Sequence, residues 1–118
     1  MHEYPAVLEI IRIAEEHARQ SGATGAARVA RIRLVMGEAS GYAADAIALY
    51  FDLIAAGTLC ENAVLDIKTV PPKLRCKACG TFFLRKPFSF ACPEPGCPGE
   101  GEPTEIGREF YVESVEVE

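Results

Sequence analysis

The sequence predicts an α+β protein: a three-stranded sheet with two helices on one face, interrupted by an inserted four-cysteine, zinc-ribbon-like domain. Three observations carry that expectation. Two stretches repeat apolar residues at helical spacing, three others have strand character, and two close cysteine pairs lie between Pro71-Pro72 and the final strand.

The first helix is expected from Pro5 to Gln20, where Val7, Ile11, Ala14 and Ala18 make one apolar stripe. Pro5 suits a first turn and Gly22 a C-terminal cap. From Val29 to Met36 the period changes to two, with Ala30, Ile32, Leu34 and Met36 on one face and Arg31 and Arg33 on the other. Gly37-Glu38-Ala39-Ser40-Gly41 reads as a turn, and Ala43 to Ala56 returns to helical spacing through Ile47, Tyr50, Phe51 and Ile54, closed by Gly57. Val64 to Val70 is a strand that stops at Pro71-Pro72, since proline cannot donate to a sheet ladder. Glu109 to Val117 is the last strand. Its Phe110 and Val112 are out of phase with Val115 and Val117, so a bulge is expected near Glu113 and Ser114. With two amphipathic helices, packing both on one face of three strands is the economical solution.

Bulk properties narrow the function classes. A chain of 118 residues supports one core and a small accessory unit, and 49% apolar with 25% charged residues is ordinary globular composition. The formal charge of −5 argues against nucleic-acid binding through the whole surface. The start has an acid at Glu3 and no basic or long apolar run, and Ala43 to Ala56 contains Asp45 and Asp52 and is too short to span a bilayer. A cytoplasmic protein without a membrane partner is expected.

In a reducing compartment, cysteines in close pairs are metal ligands more often than disulfides. Cys76-Lys77-Ala78-Cys79 and Cys92-Pro93-Glu94-Pro95-Gly96-Cys97 are separated by Gly80 to Ala91, a length that allows two turns and a short hairpin. Each pair makes a chelating turn, with Gly80 and Gly96 supplying backbone freedom. Four thiolates leave no open coordination position, so the expected ion is a structural zinc; a rubredoxin-like iron centre is the competing reading. Lys73, Arg75, Lys77, Arg85 and Lys86 surround the first pair, and no acid occurs from Lys73 to Ala91. That cluster offsets the charge of a zinc tetrathiolate, or docks an acidic partner or nucleic acid, or is simply a solvated basic face.

At the other end, the α-amine, the following amide nitrogens and the His2 imidazole are able to chelate one ion, and planar nitrogen donors suit Ni(II) or Cu(II). A histidine near a chain start is more commonly a solvated residue. His17 lies twelve helical residues beyond Pro5, roughly 18 Å away, so it does not close on the same ion; near the helix end its charged form favours the dipole. Cys60 reads as a small buried hydrophobe. No phosphate loop, nucleophile–base pair or His-Glu-x-x-His helix occurs, so an enzyme is not expected.

Met1-His2-Glu3, the turn Gly37 to Gly41, Gly57-Thr58-Leu59, the two cysteine pairs and Gly107-Arg108-Glu109, in that order and spacing, make the chain resemble the HypA/HybF family over nearly its whole length. The resemblance implies a nickel metallochaperone for maturation of NiFe hydrogenase and, in some bacteria, urease. It implies Ni(II) as transferred cargo at His2 and the backbone nitrogen of Glu3, with structural Zn(II) held separately by Cys76, Cys79, Cys92 and Cys97. It further implies partnership with the HypB GTPase and the hydrogenase large subunit; a monomer or weak homodimer is expected. The domain division that follows is 1–70 with 105–118 for nickel and 71–104 for zinc. This chain departs from the family in its Cys-x4-Cys second pair, where Cys-x2-Cys is usual, and in having no histidine in the zinc region. The alternative is a zinc-ribbon module that binds nucleic acid or protein.

Overall fold

A computed structural model describes residues 3–21 and 27–118. It is an α+β fold in the order α1 (Glu3–Ser21), β1 (Val29–Gly37), α2 (Ala44–Ile54), β2 (Val64–Val70), β3 (Lys73–Cys76), β4 (Phe82–Leu84), β5 (Gly101–Pro103) and β6 (Phe110–Val117). The strands form two three-stranded sheets, β2-β1-β6 and β4-β3-β5. By contact the chain divides into two compact units, Met1–Val35 with Tyr42–Lys68 and Phe110–Glu118, and Met36–Gly41 with Thr69–Glu109.

In the first unit α1 begins at Glu3, two residues earlier than the periodicity suggests, because Pro5 is tolerated throughout a first turn and Glu3 complements the positive end of the helix dipole. The expected Gly22 cap lies outside the described residues. Val7, Ile10, Ile11, Ala14 and Ala18 form the buried stripe of α1, which packs against α2 and β6. From β1, Ile32 and Leu34 are fully buried, and α2 adds Ile47 and Phe51. Each such side chain contributes about 1.5–3 kcal/mol relative to exposure. After α2 the Ala55 N–H donates to the Phe51 carbonyl, and Gly57 follows at φ 79°, the left-handed position that ends a helix.

The opposite side of this sheet is charged. Arg31 of β1 pairs with Asp66 of β2, and Arg33 Nη1 lies 2.6 Å from Glu116 of β6. Exposed pairs of this kind contribute at most about 1 kcal/mol each, so their main effect is on strand register. Burial along β6 changes phase between Ser114 and Val115, at the place where the sequence itself goes out of phase. Val35 departs from the simple alternation: it shares a face with Arg31 and Arg33 and is nevertheless buried, as are all residues from Leu34 to Gly37.

In the second unit β3 pairs antiparallel with both neighbours: Leu74 stands opposite Phe83 of β4 and Pro103 of β5. Leu74, Phe83, Cys76 and Cys92 form a separate small core. Sequence reading placed no strand at β3 or β5; Gly101-Glu102-Pro103 lacks β-branched residues, and pairing with β3 overrides propensity there. A Cβ on Gly101 would stand 2.6 Å from both Leu74 and Phe83, so only glycine lets the strand lie this close. The turn after β1 joins this unit. Gly37 N–H donates to Glu109 O, Ala39 N–H to Gly107 O, and Gly107 N–H to the Glu109 carboxylate at 2.8 Å. Two sequence motifs far apart in the chain thus meet as one structural feature. Among the described residues no helix is long and apolar enough to cross a membrane.

Candidate metal centre

Cys76 stands at the end of β3, and the turn behind it carries Cys79. Its N–H donates to Thr81 O at 2.8 Å, Gly80 N–H donates back to Cys76 O at 3.0 Å, and Gly80 takes φ 80° to close the turn. The second pair is built alike: Cys92 N–H donates to Gly99 O, Cys97 N–H to Glu94 O, and Gly96 takes φ 78°. The four-residue spacer is therefore accommodated by an ordinary reverse turn through Glu94-Pro95-Gly96, which returns Cys97 to the cluster.

All four sulfurs lie within 4.8 Å of one another, and Cys76 to Cys97 and Cys79 to Cys92 are each 3.6 Å. A tetrahedral zinc with sulfur at about 2.3 Å separates its ligands by about 3.8 Å, so the donor set fits a structural zinc in kind, number and spacing. Cys76 and Cys92 are buried and Cys79 is exposed. Backbone N–H groups support the sulfurs: those of Ala78 and Cys79 point at Cys76 Sγ (3.4 and 3.5 Å), and that of Gly99 at Cys97 Sγ (3.4 Å).

The electrostatics favour a cation. The bond with the Thr81 hydroxyl, at 3.2 Å, is the main cause pulling Cys79 down to about 6, and the Cys79 N–H chiefly lowers Cys76. At Cys92 the Glu94 N–H pulls downward, yet burial and the neighbouring sulfurs together push it up to about 12. Cys97 is likewise raised, burial and Cys76 overcoming the Gly99 N–H. Cys79 and Cys76 are shifted toward the thiolate, Cys92 and Cys97 away from it. A dication among the four removes that conflict, since a coordinated thiol is deprotonated.

Two residues of this centre escaped sequence reading. A Cβ on Gly99 would lie 2.6 Å from Cys76 Sγ, so this glycine lets the backbone pass beneath the sulfur; its position two residues after Cys97 was the available signal. Thr81, two residues after Cys79, had none.

Of the amino-terminal candidates, His2 lies outside the described residues. Glu3 is buried at 7% exposure, and its carboxylate accepts the Ala43 N–H at 3.2 Å. Ala43, the N-cap of α2, makes no side-chain cap bond, and Glu3, from the start of α1, instead satisfies the N–H of Ala43 itself. Sequence reading considered only the Glu3 backbone and missed the side chain, whose partner is forty positions away. Tyr4 packs edge-on against Tyr50 with ring centroids 6.1 Å apart, a second tie between the two helices. His17 is exposed and far along α1, and Cys60 is fully buried.

Comparison with known proteins covers nearly the whole length of the chain. The family model described as "Hydrogenase/urease nickel incorporation, metallochaperone, hypA" matches residues 1–117. The Hydrogenase maturation factor HypA of Caldanaerobacter subterraneus subsp. tengcongensis is 34% identical over 119 residues, covering 100% of both chains. That of Streptomyces avermitilis is 35% identical, covering 98% of this chain and 86% of the relative. The solution structure of the Ni metallochaperone HypA from Helicobacter pylori aligns with a TM-score of 0.62 at 28% identity, over 98% of this chain and 97% of that one.

Proposed function

The chain belongs to the HypA family of hydrogenase/urease nickel-incorporation metallochaperones, a family of metal carriers and not of enzymes, and we propose that it carries Ni(II) at its amino terminus. The ligands in this reading are the His2 imidazole and the nearby backbone nitrogens, including that of Glu3. Structural Zn(II) is held by Cys76, Cys79, Cys92 and Cys97. The observation that carries the reading is the family match over residues 1–117, which spans both His2 and the four-cysteine cluster.

Local chemistry supports it. Glu3 is the first residue of α1, and the first N–H groups of a helix have no intrahelical acceptor. Replacing the Glu3 amide proton with a metal therefore breaks no helical bond. Pro5 has no N–H, so the run of amides able to bind metal ends at Tyr4. A site with one side-chain ligand at a chain start is built for release by ligand competition, and the planar preference of Ni(II) discriminates against zinc by geometry. In this reading the part formed by residues 1–70 and 105–118 carries nickel, and 71–104 is the zinc-holding insert. The HypB GTPase and the NiFe hydrogenase large subunit are the partners, met in the cytoplasm by a monomer or weak homodimer.

Calorimetric titration of the zinc-loaded protein with Ni(II), beside His2→Ala, tests the assignment. Nickel binding is expected to be lost or strongly weakened in the variant, with zinc content unchanged. Nickel binding that survives the substitution unaltered would overturn the amino-terminal site.

A further inference from the structure

The arginines of the two units are used differently. In the first unit Arg12, Arg19, Arg28, Arg31 and Arg33 each pair with a carboxylate. In the insert, Lys73, Arg75, Lys77, Arg85 and Lys86 have no such pair among the described residues, although the chain as a whole is acidic. Arg85 lies over the Phe90 ring at 4.6 Å, and Arg75 over Phe82 at 5.8 Å. These contacts hold the guanidinium groups in place while leaving their N–H donors free for an incoming carboxylate.

Apolar groups stand among these cations. Across the β3–β4 pair, Lys73 faces Leu84 and Arg75 faces Phe82, and Leu84 and Phe82 are 54% and 51% exposed. Phe88, just beyond β4, is completely exposed and takes φ 60°, a left-handed conformation costly for a bulky residue. A groove of about 320 Å³ has Leu74, Phe90 and Ile106 among its lining, together with Lys73, Arg85 and Arg108. Among the described residues only Arg108 of these three forms an ion pair, with Glu105 at 3.6 Å.

We propose that this surface of the insert docks an acidic segment of a protein partner, its carboxylates on Lys73 and Arg85 and one apolar side chain in the groove. Charge complementarity selects an acidic occupant, and the groove with its exposed apolar neighbours selects protein over nucleic acid: a polyphosphate would meet the cations but leave Leu84 and the groove uncovered. The proposal is independent of which metal the amino terminus carries.

The test uses the full chain loaded with zinc and fluorescein-labelled probes at about 0.15 M salt, where long-range attraction alone is screened. The probes are a peptide alternating Glu with Leu and Phe, a Glu/Ser peptide of equal charge, and a single-stranded oligonucleotide of equal charge. Anisotropy should rise with the first peptide at least about tenfold more tightly than with the other two. Lys73→Glu with Arg85→Glu should weaken it about tenfold or more, and Leu84→Ser with Phe82→Ser should weaken it while leaving zinc content intact. Should the charge-reversed protein lose zinc, Lys73→Ala and Arg85→Ala singly make the same comparison. Equal binding of the Glu/Ser peptide, tighter binding of the oligonucleotide, or indifference to both sets of substitutions would overturn the proposal. So would sedimentation showing that the surface is covered by a second copy of this chain.

Discussion

The four-cysteine centre gathers its donors from two turns of a small core, with two sulfurs buried and N–H groups aimed at Cys76 and Cys97. The proposed nickel site has one side chain, His2, and the backbone nitrogens around it. The first arrangement completes a coordination sphere and closes it; the second leaves positions that a recipient's ligands are able to take. An ion that must stay and an ion that must leave are served by different coordination, and the two sites divide those demands between them.

The largest expected effect comes from breaking the closed centre. Cys92→Ser removes a buried ligand, and structural zinc binding is worth on the order of 10–16 kcal/mol in small domains. Zinc content should fall and the amide resonances of the insert should collapse, while those of α1 and α2 persist. Loss of all resonances together would mean that the two units do not fold separately.

A milder blow to the same centre is Gly99→Ala, which drives a methyl to within 2.6 Å of Cys76 Sγ. Overpacking of this kind costs about 1–3 kcal/mol, read as faster zinc loss to a chelator. Gly96→Ala, which has no atom within 4 Å but a φ of 78°, should cost only about 1–2 kcal/mol and leave the ligand geometry alone.

At the open site, Glu3→Ala deprives the Ala43 N–H of its carboxylate. The expected loss is about 1–2 kcal/mol in thermal unfolding of the first unit, with Glu3→Gln losing less because an acceptor remains. Zinc content should not move. If Glu3→Ala instead releases zinc, the separation of the two sites is wrong.

The smallest effect concerns Cys60, which belongs to neither site. Burial, followed by the nearby Glu15 carboxylate, pushes its thiol from 9.0 up to about 11. A raised folded value means that stability is fully present below about pH 9 and declines toward pH 11 as the unfolded thiol ionises first. Cys60 in native protein should therefore react slowly with a thiol reagent at pH 8, and Cys60→Ala should flatten the alkaline decline in stability.

Much of the fold was legible because the core elements are periodic. The stripe of α1 and the buried Ile32, Leu34 and Met36 of β1 were readable from spacing alone. The four cysteines were equally plain, since metal geometry demands close pairs. What stayed hidden depends on contacts between distant residues: the Glu3 carboxylate on Ala43, the strand β5, and Gly99 under Cys76. None of these leaves a periodic trace, because each is fixed by the partner it meets and not by its neighbours in sequence.

The difference between holding and handing over is open to one direct measurement. Protein loaded with both metals is mixed with a competing chelator, and nickel and zinc appearing in solution are followed in the same sample. Nickel should leave first and completely while zinc remains with the protein. Release of both ions together, or of zinc ahead of nickel, would contradict the division of labour between His2 and the four cysteines.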